Sequence, residues 1–346
     1  MLTDTHNRPL HDLRISVTDR CNFRCGYCMP KSVFGRRYPF LKSGALLRYD
    51  EIETLVKVFA KLGVRKIRLT GGEPLLRKDL ERLIVMLSEI PAIEDITITT
   101  NASLLTQSRA RSLRAAGIRR INISLDALTP EIYQKINQIP YPLQDILDGI
   151  NHALETGFEA VKINMVVQKG INDGDILPMV KNFRGTGAIL RFIEFMDVGN
   201  HNRWSMDKVL SGREIIDRIN PIYPLRSVGA NYSSEVAKRW RFVDGEGEIG
   251  IISSITQPFC GDCARARLSA KGELFTCLFA TSGYNLKQLL SQGMSEIEIR
   301  EKISSIWAGR DDQYSMLRTQ KLRAGNLKTR SVGKQSQKVE MSYIGG

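Results

Sequence analysis

The stretch Leu13-Arg14-Ile15-Ser16-Val17-Thr18-Asp19-Arg20-Cys21-Asn22-Phe23-Arg24-Cys25-Gly26-Tyr27-Cys28 decides the fold. A short β-branched run at residues 13–18 leads into a loop carrying three cysteines spaced C-x₃-C-x₂-C, so reactive side chains follow directly on a strand. Further strand signals lie at residues 66–70, 95–100, 120–124, 160–167 and 188–195. Between them, residues 50–62, 76–90, 106–116, 143–156 and 173–183 carry apolar side chains at helical i, i+3, i+4 spacing. Strand alternating with helix predicts an α/β fold with a parallel sheet built from βα units. In such sheets ligands collect at the carboxyl ends of the strands. Five of the six strands lead there into chemistry-bearing loops: the cysteine loop, Gly71-Gly72-Glu73-Pro74, Thr99-Thr100-Asn101, Ser124-Leu125-Asp126 and Glu194-Phe195-Met196. Six units predict an incomplete, TIM-like (βα)6 barrel with an open side.

Beyond about residue 200 the pattern becomes irregular and polar, which divides the chain into a barrel domain (1–200) and a C-terminal α+β domain (201–346). The second region reads as antiparallel, with hairpins formed by 239–243 with 249–255 and by 265–269 with 273–277, and with helices near 285–291 and 295–307. The final segment lacks steady periodicity and is expected to wrap over another surface. Gly245-Glu246-Gly247-Glu248-Ile249-Gly250 matches the dinucleotide-binding pattern G-x-G-x-x-G, but it lies between two strand signals and its glutamates would repel a pyrophosphate. It reads as a hairpin turn. No P-loop sequence occurs, so a nucleoside triphosphate would have to be held by side chains.

With 346 residues, 42% hydrophobic and 25% charged, the composition is that of a globular protein and excludes collagen-like and wholly disordered classes. No apolar run is long enough to span a membrane and residues 1–10 lack a signal-peptide core, so a cytoplasmic protein is expected. The formal charge of +13 favours polyanionic partners. Seven basic residues against one acidic fall between Arg318 and Glu340, without the interleaved aromatics of a nucleic-acid face. A concentrated anion site is the better reading; neither nucleic acid nor membrane is expected as a partner.

The six cysteines form two trios, Cys21, Cys25, Cys28 and Cys260, Cys263, Cys277. In a reducing compartment close-spaced cysteines point to metal or redox chemistry. Structural zinc sites and ordinary electron-transfer clusters are closed by four protein ligands, so a trio leaves one coordination position for a substrate. Zinc stays open as an alternative for each trio, the second above all, although of the four histidines, His6, His11, His152 and His201, only His6 and His11 have H-x₃₋₅-H spacing.

C-x₃-C-x₂-C with Tyr27 beside its last cysteine, followed after the next strand by Gly71-Gly72-Glu73-Pro74, resembles the radical S-adenosylmethionine superfamily. Residues 13–20, Arg191-Phe192-Ile193-Glu194-Phe195-Met196, Cys260-Gly261-Asp262-Cys263-Ala264-Arg265-Ala266-Arg267 and the terminal Gly345-Gly346 extend the resemblance to the GTP 3′,8-cyclase family, a lyase family that opens molybdenum-cofactor biosynthesis. The resemblance implies two [4Fe–4S] clusters, on Cys21, Cys25 and Cys28 and on Cys260, Cys263 and Cys277. It implies that a 5′-deoxyadenosyl radical takes the ribose C3′ hydrogen of GTP and that the C3′ radical attacks C8, giving 3′,8-cyclo-7,8-dihydro-GTP. Tyr27, Gly72, Ser124 and Met196 would contact S-adenosylmethionine; Arg14, Arg68, Thr99, Lys162, Arg265 and Arg267 would hold GTP, with Arg14 also counted beside the first three cysteines as catalytic. The two terminal glycines would thread toward the GTP site. An external one-electron reductant, a homodimer and a downstream cyclic pyranopterin monophosphate synthase are the implied partners. Ala102 and Ala264 depart from the family's usual residues without removing a ligand. A peptide-modifying radical enzyme and a zinc-stabilised RNA-binding protein are the competing readings.

Overall fold

The computed structural model describes residues 2–232, 235–324 and 338–345. All six expected strands form: β1 (Asp12–Ser16), β2 (Lys66–Thr70), β3 (Asp95–Thr100), β4 (Arg120–Ser124), β5 (Ala160–Val167) and β6 (Ile189–Glu194). They pair in parallel in chain order. The helices α1 (Tyr49–Lys61), α2 (Leu80–Ser88), α3 (Gln107–Ala116), α4 (Pro130–Asn137), α5 (Leu143–Glu155) and α6 (Ile176–Phe183) connect them. Each buries one stripe against the sheet: on α1, Ile52, Leu55, Val56 and Phe59 are buried while Glu53 and Lys57 pair on the outer face. Burying such a side chain contributes about 1.5–3 kcal/mol, which outweighs the modest propensity of a helix this short.

Two helices start later than their periodicity suggests. Residues 74–76 form a 3₁₀ turn whose first free amide, Leu75 N–H, is capped by Glu73, and α2 begins only after Asp79, which sits in the left-handed region at φ 53°. Residues 173–175 likewise form a 3₁₀ turn before α6. Helix α4 carries no expectation from the sequence.

The C-terminal region departs further from its expectation. Its hairpins exist: β8 (Lys238–Phe242) with β9 (Glu248–Ile252), and β10 (Arg265–Leu268) with β11 (Glu273–Phe275). Gly245 and Gly247, both at positive φ, sit in the turn between β8 and β9, so the G-x-G-x-x-G match is the expected hairpin turn. Yet neither hairpin builds a separate sheet. Strand β9 pairs in parallel with β6 and β10 in parallel with β1, adding one strand to each side of the six. With β7 (Leu225–Val228) and β12 (Tyr284–Asn285) outermost, the order is β12-β11-β10-β1-β2-β3-β4-β5-β6-β9-β8-β7. Bare edges of the six-stranded sheet carry unpaired N–H and C=O groups, and the hairpins supply their partners. Eight parallel strands result, with β9 and β10 at the two sides of the gap.

Buried Glu194, at the end of β6, fastens the two regions together. It accepts from the amides of Gly212 (2.7 Å), Ile255 (2.8 Å) and Thr256 (2.8 Å) and from the Thr256 hydroxyl (2.6 Å). Helices α7 (Gly212–Ile219), α8 (Leu286–Ser291), α9 (Glu296–Ala308), α10 (Tyr314–Arg323) and α11 (Met341–Ile344) complete the described chain. Among the described residues no helix is long and apolar enough to cross a membrane.

Candidate active site

The first cysteine trio occupies a tightly held loop at the carboxyl end of β1. Cys28 N–H and Met29 N–H both donate to the Cys25 carbonyl (2.9 and 2.8 Å), folding the loop back on itself, while Arg24 N–H and Gly26 N–H donate to the last carbonyls of α4, those of Asn137 and Ile136. The Arg24 guanidinium reaches the Cys21, Phe23 and Phe34 carbonyls. From the β2 side, Gly72 N–H and Glu73 N–H donate to the Thr18 and Arg20 carbonyls. A Cβ on Gly72 would stand 2.1 Å from the Arg20 carbonyl oxygen, and one on Gly71, at φ 135°, would stand 2.2 Å from that of Thr18. Both glycines are therefore required by the approach of two backbones. Glu73, buried, accepts from Leu75 N–H, Thr100 Oγ1 and Asn101 N–H, and so links the loops after β2 and β3.

Tyr27 Oη donates to Asp126 Oδ2 (2.8 Å), and Asp126 Oδ1 accepts from Val166 N–H, tying the cysteine loop to the ends of β4 and β5. Ser124 ends β4 and Met196 follows β6; Met196 is half-buried rather than part of the sealed core. Ala102 lies at φ 62°, a conformation glycine adopts at less cost, which is the physical reason a glycine suits that position.

Topology puts the second trio at the other end. Strand β10 runs parallel to β1 and β11 returns antiparallel to it, so Cys263, just before β10, and Cys277, just after β11, share the amino-terminal end of the barrel strands. All six cysteines are free and half-buried. The trios differ electrically. Burial and then Glu73 push the Cys21 thiol up to about 12; burial and Asp126 raise Cys25, and burial raises Cys28, with Cys21, Glu340 and Asp126 around it. Cys263 goes the other way: against its burial, Arg265 and then Arg310 bring it down to about 6. Cys277 is raised to about 11 by burial and Asp312.

The donor sets fit iron–sulfur clusters, whose irons are held by cysteine thiolates and tuned by hydrogen bonds to the sulfurs. The sulfurs are also met by donors: Phe23 N–H to Cys21 Sγ (3.3 Å), Phe279 N–H to Cys277 Sγ (3.4 Å) and Arg265 to Cys263 Sγ (3.4 Å).

Between the two trios the barrel interior is lined by cations. Register places Arg267, Arg14, Arg68 and Thr97 side by side on neighbouring strands, with Lys162 level with Asn122 on the far side and Asn122 level with Thr99. Burial and the neighbouring guanidiniums push Arg14 well below its usual range, Arg267 to about 9, Arg191 to about 10 and Lys162 to about 7. Among the described residues Arg14, Arg68, Lys162, Arg191, Arg265 and Arg267 have no carboxylate ion-pair partner, whereas Arg120 and Arg239 nearby are paired with Asp95 and Glu248. Thr99 Oγ1, Asn122 Oδ1, Asn164 Oδ1 and Arg191 Nε are buried without any hydrogen-bond partner. A cavity of about 320 Å³ opens at the amino-terminal end of this belt, lined among others by Arg120, Lys162, Arg191, Glu235 and Arg239. Arg191 was missed by the sequence reading, although its inward position follows from alternation along β6, where Leu190 and Phe192 face the core.

The C-terminal residues 338–345 return to this interior. The Arg267 guanidinium donates to the Gly345 carbonyl. Gly345 lies at φ 75°, and a Cβ there would stand 2.3 Å from Thr70 Cγ2 and 3.2 Å from Ser16 Oγ, so a residue without a side chain is demanded by β1 and β2 as well as by its backbone. Gly346, Lys328, Arg330 and Lys334, expected to contribute to the tail, lie outside the described residues.

Comparison with known proteins agrees along the whole chain. Residues 15–183 match the Radical SAM superfamily and residues 188–316 match Molybdenum Cofactor Synthesis C. The GTP 3′,8-cyclase of Acidothermus cellulolyticus is 47% identical over 359 residues, covering 100% of this chain and 99% of that protein. Those of Xanthomonas axonopodis pv. citri (47% over 345 residues) and Staphylococcus carnosus (46% over 346 residues) match with the same coverage. Among solved structures, SuiB of Streptococcus suis bound to S-adenosylmethionine superposes with a TM-score of 0.62 at 15% identity, covering 90% of this chain and 68% of that one, a likeness of fold. Identity near one half, sustained over the full chain and resting on a partial barrel of the radical S-adenosylmethionine type, makes this chain a member of the GTP 3′,8-cyclase family.

Proposed function

We propose that this chain is a GTP 3′,8-cyclase, converting GTP to 3′,8-cyclo-7,8-dihydro-GTP as the first step of molybdenum-cofactor biosynthesis. The observation that carries this reading is a belt of inward-facing cations without carboxylate partners, between two three-cysteine nests at opposite ends of one barrel. When bound, the first cluster and S-adenosylmethionine supply the electron and the hydrogen-abstracting radical, and the second cluster supplies an open iron for the guanine. The rest falls to the protein. Cys21, Cys25 and Cys28 hold the first cluster; Cys260, Cys263 and Cys277 hold the second. Tyr27, Gly72, Ser124 and Met196 line the S-adenosylmethionine side, where Ser124 can bond a carboxylate or ribose hydroxyl and Met196 offers adenine an apolar wall.

Arg14, Arg68, Lys162, Arg265 and Arg267, joined by Arg191, neutralise the triphosphate. Guanidinium forks suit phosphate oxygens, and the cost of holding these charges together inside the barrel is relieved when the anion arrives. Thr99, with its hydroxyl otherwise unpartnered, donates to the nucleotide. Gly345 accepts from Arg267 and so orients one fork of the belt. An external one-electron reductant, a homodimeric state, a cytoplasmic location and transfer of product to a cyclic pyranopterin monophosphate synthase belong to the same reading.

The test is anaerobic incubation of the reconstituted enzyme with reductant, S-adenosylmethionine and GTP. It should yield 5′-deoxyadenosine together with a cyclised nucleotide, and Cys25→Ser should abolish both. Formation of 5′-deoxyadenosine with no dependence on GTP and no cyclised nucleotide would defeat the assignment.

A further inference from the structure

Behind the second nest lies a charged network that the proposed chemistry does not use. Asp4, Arg8 and Arg310 have side chains at most 1% exposed. Asp4 Oδ2 accepts from Arg8 Nε (2.6 Å) and Arg310 Nη1 (3.0 Å), and Asp4 Oδ1 accepts from the amides of His6 and Arg8 (both 2.9 Å). The guanidiniums then turn to the cysteine loop. Arg8 Nη1 donates to the Cys260 carbonyl (2.9 Å) and the Asp312 carbonyl (2.7 Å), and Arg310 Nη1 donates to the Cys263 carbonyl (2.7 Å). Trp307 Nε1 donates to the Arg8 carbonyl (3.2 Å), and the Arg310 guanidinium lies 4.6 Å from the Trp307 ring centroid. Arg8 Nη2 is buried with no partner.

Buried charges of this kind are poor devices for stability alone, because apolar residues of equal volume often do as well. What apolar residues cannot do is donate to the carbonyls of two cysteines. We propose that Asp4, Arg8 and Arg310 are positioning residues of the second nest: they fix the peptide orientations of Cys260 and Cys263 and bring positive charge to the cluster held there. This rests on the reading that the second trio holds a [4Fe–4S] cluster. The chain's first ten residues and the turn after α9 thereby close a site whose ligands lie some 250 residues from Arg8. Hydrogen bonds and net charge around a cluster are recognised determinants of its potential.

The test compares wild type with Arg310→Met, Arg8→Met and the milder Asp4→Asn after anaerobic reconstitution, reading iron and sulfide content, the electron paramagnetic resonance of each cluster and its midpoint potential. The first cluster, identified by its response to S-adenosylmethionine, reports whether the barrel has folded. The expected result is loss of up to half the iron with the first cluster intact, and, where the second cluster survives, a midpoint shifted to lower potential in the two arginine variants and to higher potential in Asp4→Asn, which removes a negative charge. Full iron with an unchanged second-cluster spectrum and potential in both arginine variants overturns the inference. So does loss of both clusters together in all three variants, which would make the network a general support of the fold. Wild-type protein carrying only the first cluster would instead overturn the underlying reading.

Discussion

The two cysteine nests do related work by contrasting means. The first is one continuous loop, residues 21–28, held by backbone hydrogen bonds from α4 and from the loop after β2 and by the Arg24 guanidinium, which donates to the Cys21 and Phe23 carbonyls. Beside Arg24 it has three carboxyl groups around it, Glu73, Asp126 and Glu340, and burial pushes all its thiols up, with these carboxyls adding to the shift. The second is assembled from the start of β10 and the end of β11, and buried guanidiniums hold it in place. Carboxylates disfavour an added electron and guanidiniums favour one, so a cluster in the first nest would be the stronger reductant, as cleavage of a sulfonium requires. On the proposed function, the nest that would deliver an electron has three carboxyl groups around it, and the nest nearer the polyanion is braced by two buried guanidiniums beside Asp312.

The sharpest way to break this contrast is to disturb one nest and watch the other. Gly72→Ala puts a methyl group 2.1 Å from the Arg20 carbonyl oxygen, and backbone must move on one side. Overpacking of this kind costs about 1–3 kcal/mol, read as a lower urea midpoint, and the displacement falls on the loop holding Cys21. The expected outcome is loss of the spectroscopic response to S-adenosylmethionine with the GTP response of the second cluster intact. Equal loss at both ends would show that the nests are not independent.

Much of the first nest was legible because everything that builds it is local in sequence: a strand, a cysteine loop and the glycine pair after the next strand. Helix α4 was not read, although Thr129-Pro130-Glu131 carries the Pro at the first helical turn that marks such starts, because eight residues give too little periodicity to stand out. The second nest was legible only as cysteine spacing. Pairing of β9 with β6 and of β10 with β1 is decided by which sheet edges need partners, a tertiary matter on which hairpin sequence is silent. The Asp4–Arg310 contact joins residues 306 apart, and no local pattern announces it.

A smaller effect is expected from Arg267→Lys, in the belt between the nests. Arg267 already donates to the Gly345 carbonyl and must meet phosphate as well, a pair of tasks for a planar fork that an ammonium point charge performs poorly. A charged hydrogen bond contributes about 1.5–3 kcal/mol, so KM for GTP should rise about 10- to 100-fold while S-adenosylmethionine affinity stays unchanged. A fall in kcat alone would mean that Arg267 acts on the terminal glycine and not on the nucleotide.

The smallest expected effect, and the one that most directly tests the charge on the belt, is a pH dependence. Lys162 is brought down to about 7 by burial and then by Arg191, Arg120 and Arg68. Below that pH it is protonated and completes the belt; above it the free enzyme holds a neutral amine, so kcat/KM for GTP should decline as pH rises from about 7 toward a lower plateau. Bound triphosphate favours the charged form, so GTP should be taken up with a proton in the same range, measurable by calorimetry in buffers of different ionisation enthalpy. Without ligand the unfolded chain, with Lys162 near its ordinary 10.5, binds more protons than the folded one between the two values, so this group's contribution to stability becomes more favourable as pH rises across that window. Lys162→Arg keeps the charge at every accessible pH and should remove the decline, separating it from titration of the nucleotide itself. A decline of the same midpoint and depth in both enzymes would take Lys162 out of the belt.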